Sequence, residues 1–107
     1  MMNRNYHPQH CKYVPIELRA DSPRAISVKA ALALKLNELI DQRRLNQTEV
    51  ATITGMSQPK VSQVRRYKLL NISLERLMLA LVSLDQHVEI VVQPAQKPQK
   101  AELTVIA

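Results

Sequence analysis

Gly55 is the only glycine in a chain of 107 residues, and it falls between two short amphipathic stretches. A left-handed backbone costs glycine nothing and other residues about 1 kcal/mol or more, so this is where the chain reverses most cheaply. Ahead of it, Asn46-Gln47-Thr48-Glu49 has the form of a helix start, Asn46 capping and Glu49 reaching back. Val50, Ala51 and Ile53 are expected to form the inner face of that short helix. Behind the glycine, Ser57 or Gln58 opens a second helix, with Pro59 in the first turn, where a missing N–H is tolerated. Val61 and Val64 point inward there, leaving Lys60, Ser62, Gln63, Arg65 and Arg66 outside. The spacing therefore predicts two short helices joined at a tight corner, the second presenting a polar and basic outer face.

The flanking sequence supplies a body for this unit. Ser22-Pro23 reads as a helix start, and Val28, Leu32, Leu36, Leu39 and Ile40 recur at helical spacing. Lys29, Asn37, Asp41 and Arg44 are read as mostly off that stripe, and Arg43-Arg44 close the helix where cations suit its dipole. After a turn at Asn71 to Ser73, the residues Leu74, Leu77, Met78, Leu81 and Val82 fit a further amphipathic helix. His87 to Val92 is β-branched and short, which predicts a strand, and Leu103 to Ile106 gives a second, weaker strand signal. A lone strand needs a partner, so Val88, Ile90 and Val92 are expected to pair with the same strand of a second copy, giving a two-fold homodimer. The expected organisation is a flexible arm over residues 1–22 with a short ordered piece at Tyr13 to Leu18, a domain over 23–93 ending in the strand, and a linker and tail over 94–107.

Composition narrows the partners. Fifteen Lys and Arg stand against nine Asp and Glu, for a net charge of +6 and a pI near 9.8. That balance favours nucleic acid or another anionic surface. Phe and Trp are absent, so the core must be aliphatic. With Cys11 as the only cysteine there is no internal disulfide and no cysteine-based zinc cluster, and a reducing cytoplasm is the expected location. No apolar run reaches the ~20 residues of a membrane span, and the N-terminal stretch lacks a targeting pattern. His7, His10 and Cys11 are potential ligands without a scaffold or a fourth donor, so neither a metal site nor a cofactor is expected. No nucleophile–base pairing and no phosphate-binding loop occurs, which argues against an enzyme.

The run Leu45-Asn46-Gln47-Thr48-Glu49-Val50-Ala51, then Gly55-Met56-Ser57-Gln58, then Val61-Ser62 resembles the lambda-repressor-like (XRE) helix-turn-helix family over about residues 27–84. The resemblance implies a mainly α bundle that places its second short helix in the DNA major groove. It implies that Gln58, Pro59, Lys60 and Gln63 face base edges, with Pro59 acting sterically or through a thymine methyl. Gln47 and Ser62 are then phosphate contacts, as are Arg43, Arg44, Arg66 and Lys68. Tyr67 stands where many members have glycine; because tyrosine disfavours a positive φ, a different turn is expected there. The C-terminal half, Ser73 to Leu77, Leu81 to Leu84 and Val88 to Pro94, is similar to compact HigA-type antitoxins, which repress their own operon and bind a toxin. The expected partners are thus a near-palindromic duplex DNA, a second copy of the chain and a cognate toxin, with a stand-alone or phage-type repressor, or a pure interaction module, as the alternatives.

Overall fold

The computed structural model of the chain describes residues 13–16, 23–95 and 103–107. Its element order is β1 (Tyr13–Ile16), α1 (Pro23–Gln42), α2 (Gln47–Thr54), α3 (Gln58–Arg65), α4 (Leu74–Ser83) and β2 (Leu103–Ile106). The fold is mainly α, with four helices and two short strands among the described residues, one of them C-terminal. The twenty residues of α1 form the mast on which α3, α4 and the two strands pack, while α2 packs on α3 and α4.

The core is aliphatic throughout. Val28, Ala33, Leu36, Leu39 and Ile40 of α1 are buried, together with Val50 of α2, Val61 and Val64 of α3, and Leu77, Ala80 and Leu81 of α4. Met56, Leu69, Ile72 and Leu84 plug the connections between helices. Each fully buried Val, Leu, Ile or Met among them contributes about 1.5–3 kcal/mol of transfer free energy. Three positions depart from the periodicity reading. Ile53 is 42% exposed, and Thr54 is buried in its place; the inner line of a two-turn helix runs from Val50 to Thr54, four residues on. The Thr54 hydroxyl is accommodated because it donates to the Val50 carbonyl at 2.7 Å and accepts from the Met56 amide at 3.2 Å. Val82 is half exposed while Ala80 and Leu84 take the inner positions, since the buried line of α4 is centred on Leu77 and Leu81. Asn37, read as off the stripe, is only 5% exposed.

The C-terminal strand is β2, and its partner is β1. They pair antiparallel with Tyr13 opposite Ile106 and Ile16 opposite Leu103. The segment 86–95, expected to hold the strand His87 to Val92, has no regular structure. Both segments are β-prone, but a strand forms only where a ladder partner exists, and within one chain β2 has β1. The segments read as arm and tail therefore each contribute a strand. The remainder of the expected arm, with His7, His10 and Cys11, lies outside the described residues.

Helix ends show how a chain with one glycine reverses four times. Gly55 takes φ 75° after α2, its amide donating to the Ala51 carbonyl at 2.9 Å. Arg44, Tyr67 and Asp85 adopt the same left-handed conformation, with φ of 53°, 57° and 65°. Each sits in a pair of closing hydrogen bonds of the Schellman type. After α1, Leu45 donates to the Ile40 carbonyl and Arg44 to that of Asp41. After α3, Lys68 donates to Gln63 at 2.8 Å and Tyr67 to Val64 at 3.1 Å. After α4, Gln86 donates to Leu81 and Asp85 to Val82, both at 3.0 Å. The expectation of a differently built turn at Tyr67 is thus corrected: the two hydrogen bonds and the burial of Leu69 just beyond outweigh the cost of a positive φ. Because Arg44 is exposed and makes no hydrogen bond through its side chain among the described residues, Arg44→Gly is expected to raise the unfolding free energy by about 1 kcal/mol. Urea titration checks this, and a loss of stability would show that the Arg44 side chain contributes more than its backbone costs.

Candidate nucleic-acid interface

The corner between α2 and α3 is assembled from local hydrogen bonds. Asn46 accepts from the Glu49 amide at 2.8 Å, and its own amide donates to the Glu49 carboxylate at 3.0 Å. Both halves of the capping box are therefore present, and the one acid in the first turn of α2 is occupied by it. At Gly55 a Cβ would meet nothing within 4 Å, so glycine is required there by φ and not by space. Met56 is buried and anchors the turn from below. Ser57 caps α3, accepting from the Lys60 amide at 3.4 Å, and Pro59 lies in the first turn as expected.

Val61 and Val64, each 1% exposed, seat α3 and determine which face is left to solvent. Gln58, Pro59, Lys60 and Arg66 are exposed, and Ser62 is half-buried beside them. The Arg66 guanidinium donates to the Ser62 hydroxyl at 3.0 Å, so these two residues, both expected at phosphates, act as one polar group. Gln63 is half-buried, and its Oε1 is out of contact with solvent and without a hydrogen-bond partner. In this conformation the amide oxygen is turned inward, away from the position a base-reading group must occupy.

The remaining cations divide into engaged and open ones. Arg43 donates to the Leu84 carbonyl at 2.7 Å and lies 3.5 Å from the Asp85 carboxylate; it ties the end of α1 to the end of α4. Arg44, Gln47 and Lys68 are exposed at the two ends of the motif. Two acids near the motif are already occupied, Glu49 by the Asn46 amide and Asp41 by Arg65 at 2.7 Å. The capping bond leaves the Glu49 charge in place, but Lys60, Arg66, Lys68 and Arg44, exposed and in no ion pair among the described residues, outnumber it, so the surface around α2 and α3 carries net positive charge.

Sequence reasoning missed one set of residues. Asn37 donates its side-chain amide to the Val64 carbonyl at 3.0 Å, and Arg65 donates to the Asn37 Oδ1 at 3.0 Å. Lys29 likewise donates to the Leu69 carbonyl at 3.2 Å. A signal for Asn37 was present: it stands four residues after Ala33 and three before Ile40, on the line of the buried stripe. No such signal names its partners, because they lie 27 and 28 residues away along the chain.

Comparison with known proteins agrees with this geometry. The family model of the helix-turn-helix domain matches residues 17–93. A solved structure described as belonging to the XRE family of transcriptional regulators shares 46% sequence identity, with a TM-score of 0.66, over 71% of this chain and 85% of that one. No curated protein matches the chain. The chain belongs to the helix-turn-helix domain family, in its XRE, lambda-repressor-like form.

Proposed function

We propose that the chain is a sequence-specific DNA-binding transcriptional regulator, and that it serves as the antitoxin and autorepressor of a type II toxin–antitoxin operon. The observation that carries the DNA reading is the outer face of α3, where Gln58, Pro59, Lys60 and Arg66 are exposed above a fully buried Val61–Val64 seat. A helix so mounted can enter a major groove with amide and ammonium groups toward base edges and a guanidinium toward the backbone. The structural neighbour's description as a transcriptional regulator supports the same assignment. Gln58 and Lys60 are assigned to base edges, with Pro59 as a steric contact, and Gln63 joins them only by turning its buried amide oxygen outward. Gln47, Ser62, Arg44, Arg66 and Lys68 are assigned to phosphates, and Arg43 joins them only by leaving its Leu84 contact. No helix among the described residues is long and apolar enough to cross a membrane.

A palindromic operator needs two copies, whose recognition helices would enter grooves about 34 Å apart. The segment bearing Val88, Ile90 and Val92 is the proposed dimer contact. Val88 packs partly against the core, whereas Ile90, Val91 and Val92 are 70%, 50% and 91% exposed. A run of such β-branched residues in water, with no ladder partner among the described residues, favours pairing with its counterpart. The toxin assignment rests on the similarity of the C-terminal half to compact antitoxins, and apolar Leu79 and Val82, half exposed on α4, offer surface to a protein partner.

The deciding experiment is a salt-dependent titration against the DNA upstream of the chain's own gene, with random duplex as control. Selective, salt-sensitive binding is expected; equal weak binding to both would remove operator recognition. Lys60→Ala and Gln63→Ala are expected to lower that selectivity, at roughly 1–3 kcal/mol per lost base contact. Gln63→Met should do so while stabilising the free protein by about 1 kcal/mol, since it removes a buried unsatisfied oxygen; a destabilised Gln63→Met would mean that the amide is partnered in solution. Arg66→Ala should weaken specific and random binding alike and flatten the salt slope by about one unit, and an unchanged slope would place Arg66 off the backbone. For the dimer, Ile90→Lys is expected to give monomers by sedimentation, and a variant that remains dimeric would locate the interface elsewhere.

A further inference from the structure

We infer that Arg65 is a positioning residue for DNA reading, locking α3 at one angle on α1 through Asn37 and Asp41 and contributing nothing to phosphate neutralisation. The inference rests on the proposed reading of DNA by the outer face of α3.

An eight-residue helix has too few internal hydrogen bonds to hold its own position. Val61 and Val64 seat it, but they lie one turn apart on a single line, and apolar contact is non-directional. Such a seat sets the depth of α3, and its packing on α2 limits its motion without supplying a directional contact to α1. Directional contacts must set the angle, and α1 provides them. Asn37 donates to the Val64 carbonyl at 3.0 Å and accepts from Arg65 Nη1 at 3.0 Å. The same Nη1 lies 3.4 Å from the Asn37 carbonyl, and Nη2 donates to Asp41 Oδ1 at 2.7 Å. The guanidinium thus spans two successive turns of α1, while the Asn37 amide is bonded to α3 at both its ends. Asn37 is nearly excluded from solvent, so its amide bonds hold best in one relative placement of the helices.

The charge of Arg65 is already met by a carboxylate, and its side chain is 31% exposed. Its neighbour Arg66 is exposed, and among the described residues its guanidinium bonds within its own helix, to Ser62. Two consecutive arginines of one sequence motif therefore divide the work: Arg65 aims the helix and Arg66 meets the DNA. A fork that bridges Asn37 and Asp41 is a geometry lysine cannot reproduce, which separates aiming from simple charge.

The test uses the full-length protein and a duplex selected by the wild type from a random-sequence library, with a scrambled duplex as control, each titrated across salt concentrations. Arg65→Met is expected to reduce the preference for the selected duplex about tenfold with an unchanged salt slope. Arg65→Lys should fail to restore that preference although it keeps the charge. Asp41→Asn, at a largely exposed side chain, should reduce the preference in the same direction and carries the test if Arg65→Met does not fold. Wild-type preference in a folded Arg65→Met, or in Asp41→Asn where Arg65→Met does not fold, overturns the inference. So does a slope lowered by about one unit in Arg65→Met and restored in Arg65→Lys, the signature of a phosphate contact. If the wild type itself selects no duplex, the DNA reading fails, and the aiming role fails with it.

Discussion

The polar face proposed for DNA depends on how α3 sits on α1. An isolated helix of this length is unstable in water, so α3 exists because Val61 and Val64 are buried against the rest of the aliphatic core. The long α1 is what makes that seat rigid. Its apolar stripe receives α3 and α4, and its polar residues Asn37 and Asp41 reach α3 directly. Lys29 reaches the following connection, at the Leu69 carbonyl. The outer face of α3 is free to carry polar and basic residues because none of them is needed for packing.

The same economy shows at the corners. Three of the four described helices end on a residue other than glycine in the left-handed conformation, at about 1–2 kcal/mol each. Those ends are held by paired closing hydrogen bonds and by a buried or half-buried apolar residue close by, Leu45 after Arg44, Leu69 after Tyr67 and Leu84 before Asp85. Arg43 adds a cross-brace from the end of α1 to the Leu84 carbonyl, next to Asp85. Strain at Arg44 and Tyr67 falls beside the proposed DNA face, where a charged or aromatic side chain has a use that glycine lacks.

How much was legible varied with the range of the interaction. The capping box at Asn46 and Glu49, the role of Gly55, Pro59 in a first turn and the inward Val61 and Val64 were readable because each depends on residues within about one turn. The turn at Tyr67 was misread because propensity weighed only the cost of its φ and not the two hydrogen bonds that offset it. His87 to Val92 and Leu103 to Ile106 carry the same kind of β signal. Which of them forms a strand depends on Tyr13–Ile16, some ninety residues away, and no local pattern contains that information.

The sequence by itself determined the helix-turn-helix unit, its boundaries and its polar outer face, since these follow from capping, one glycine and helical periodicity. Only the tertiary structure decided which cations are open and which are engaged. Arg43, Arg65 and Lys29 look no different from Arg44, Arg66 and Lys68 as letters in a chain. They differ because folding brings the carbonyls of Leu84, Asn37 and Leu69 and the carboxylate of Asp41 within hydrogen-bonding distance of the first three. A side chain's charge is a property of its composition, whereas its availability is a property of what surrounds it.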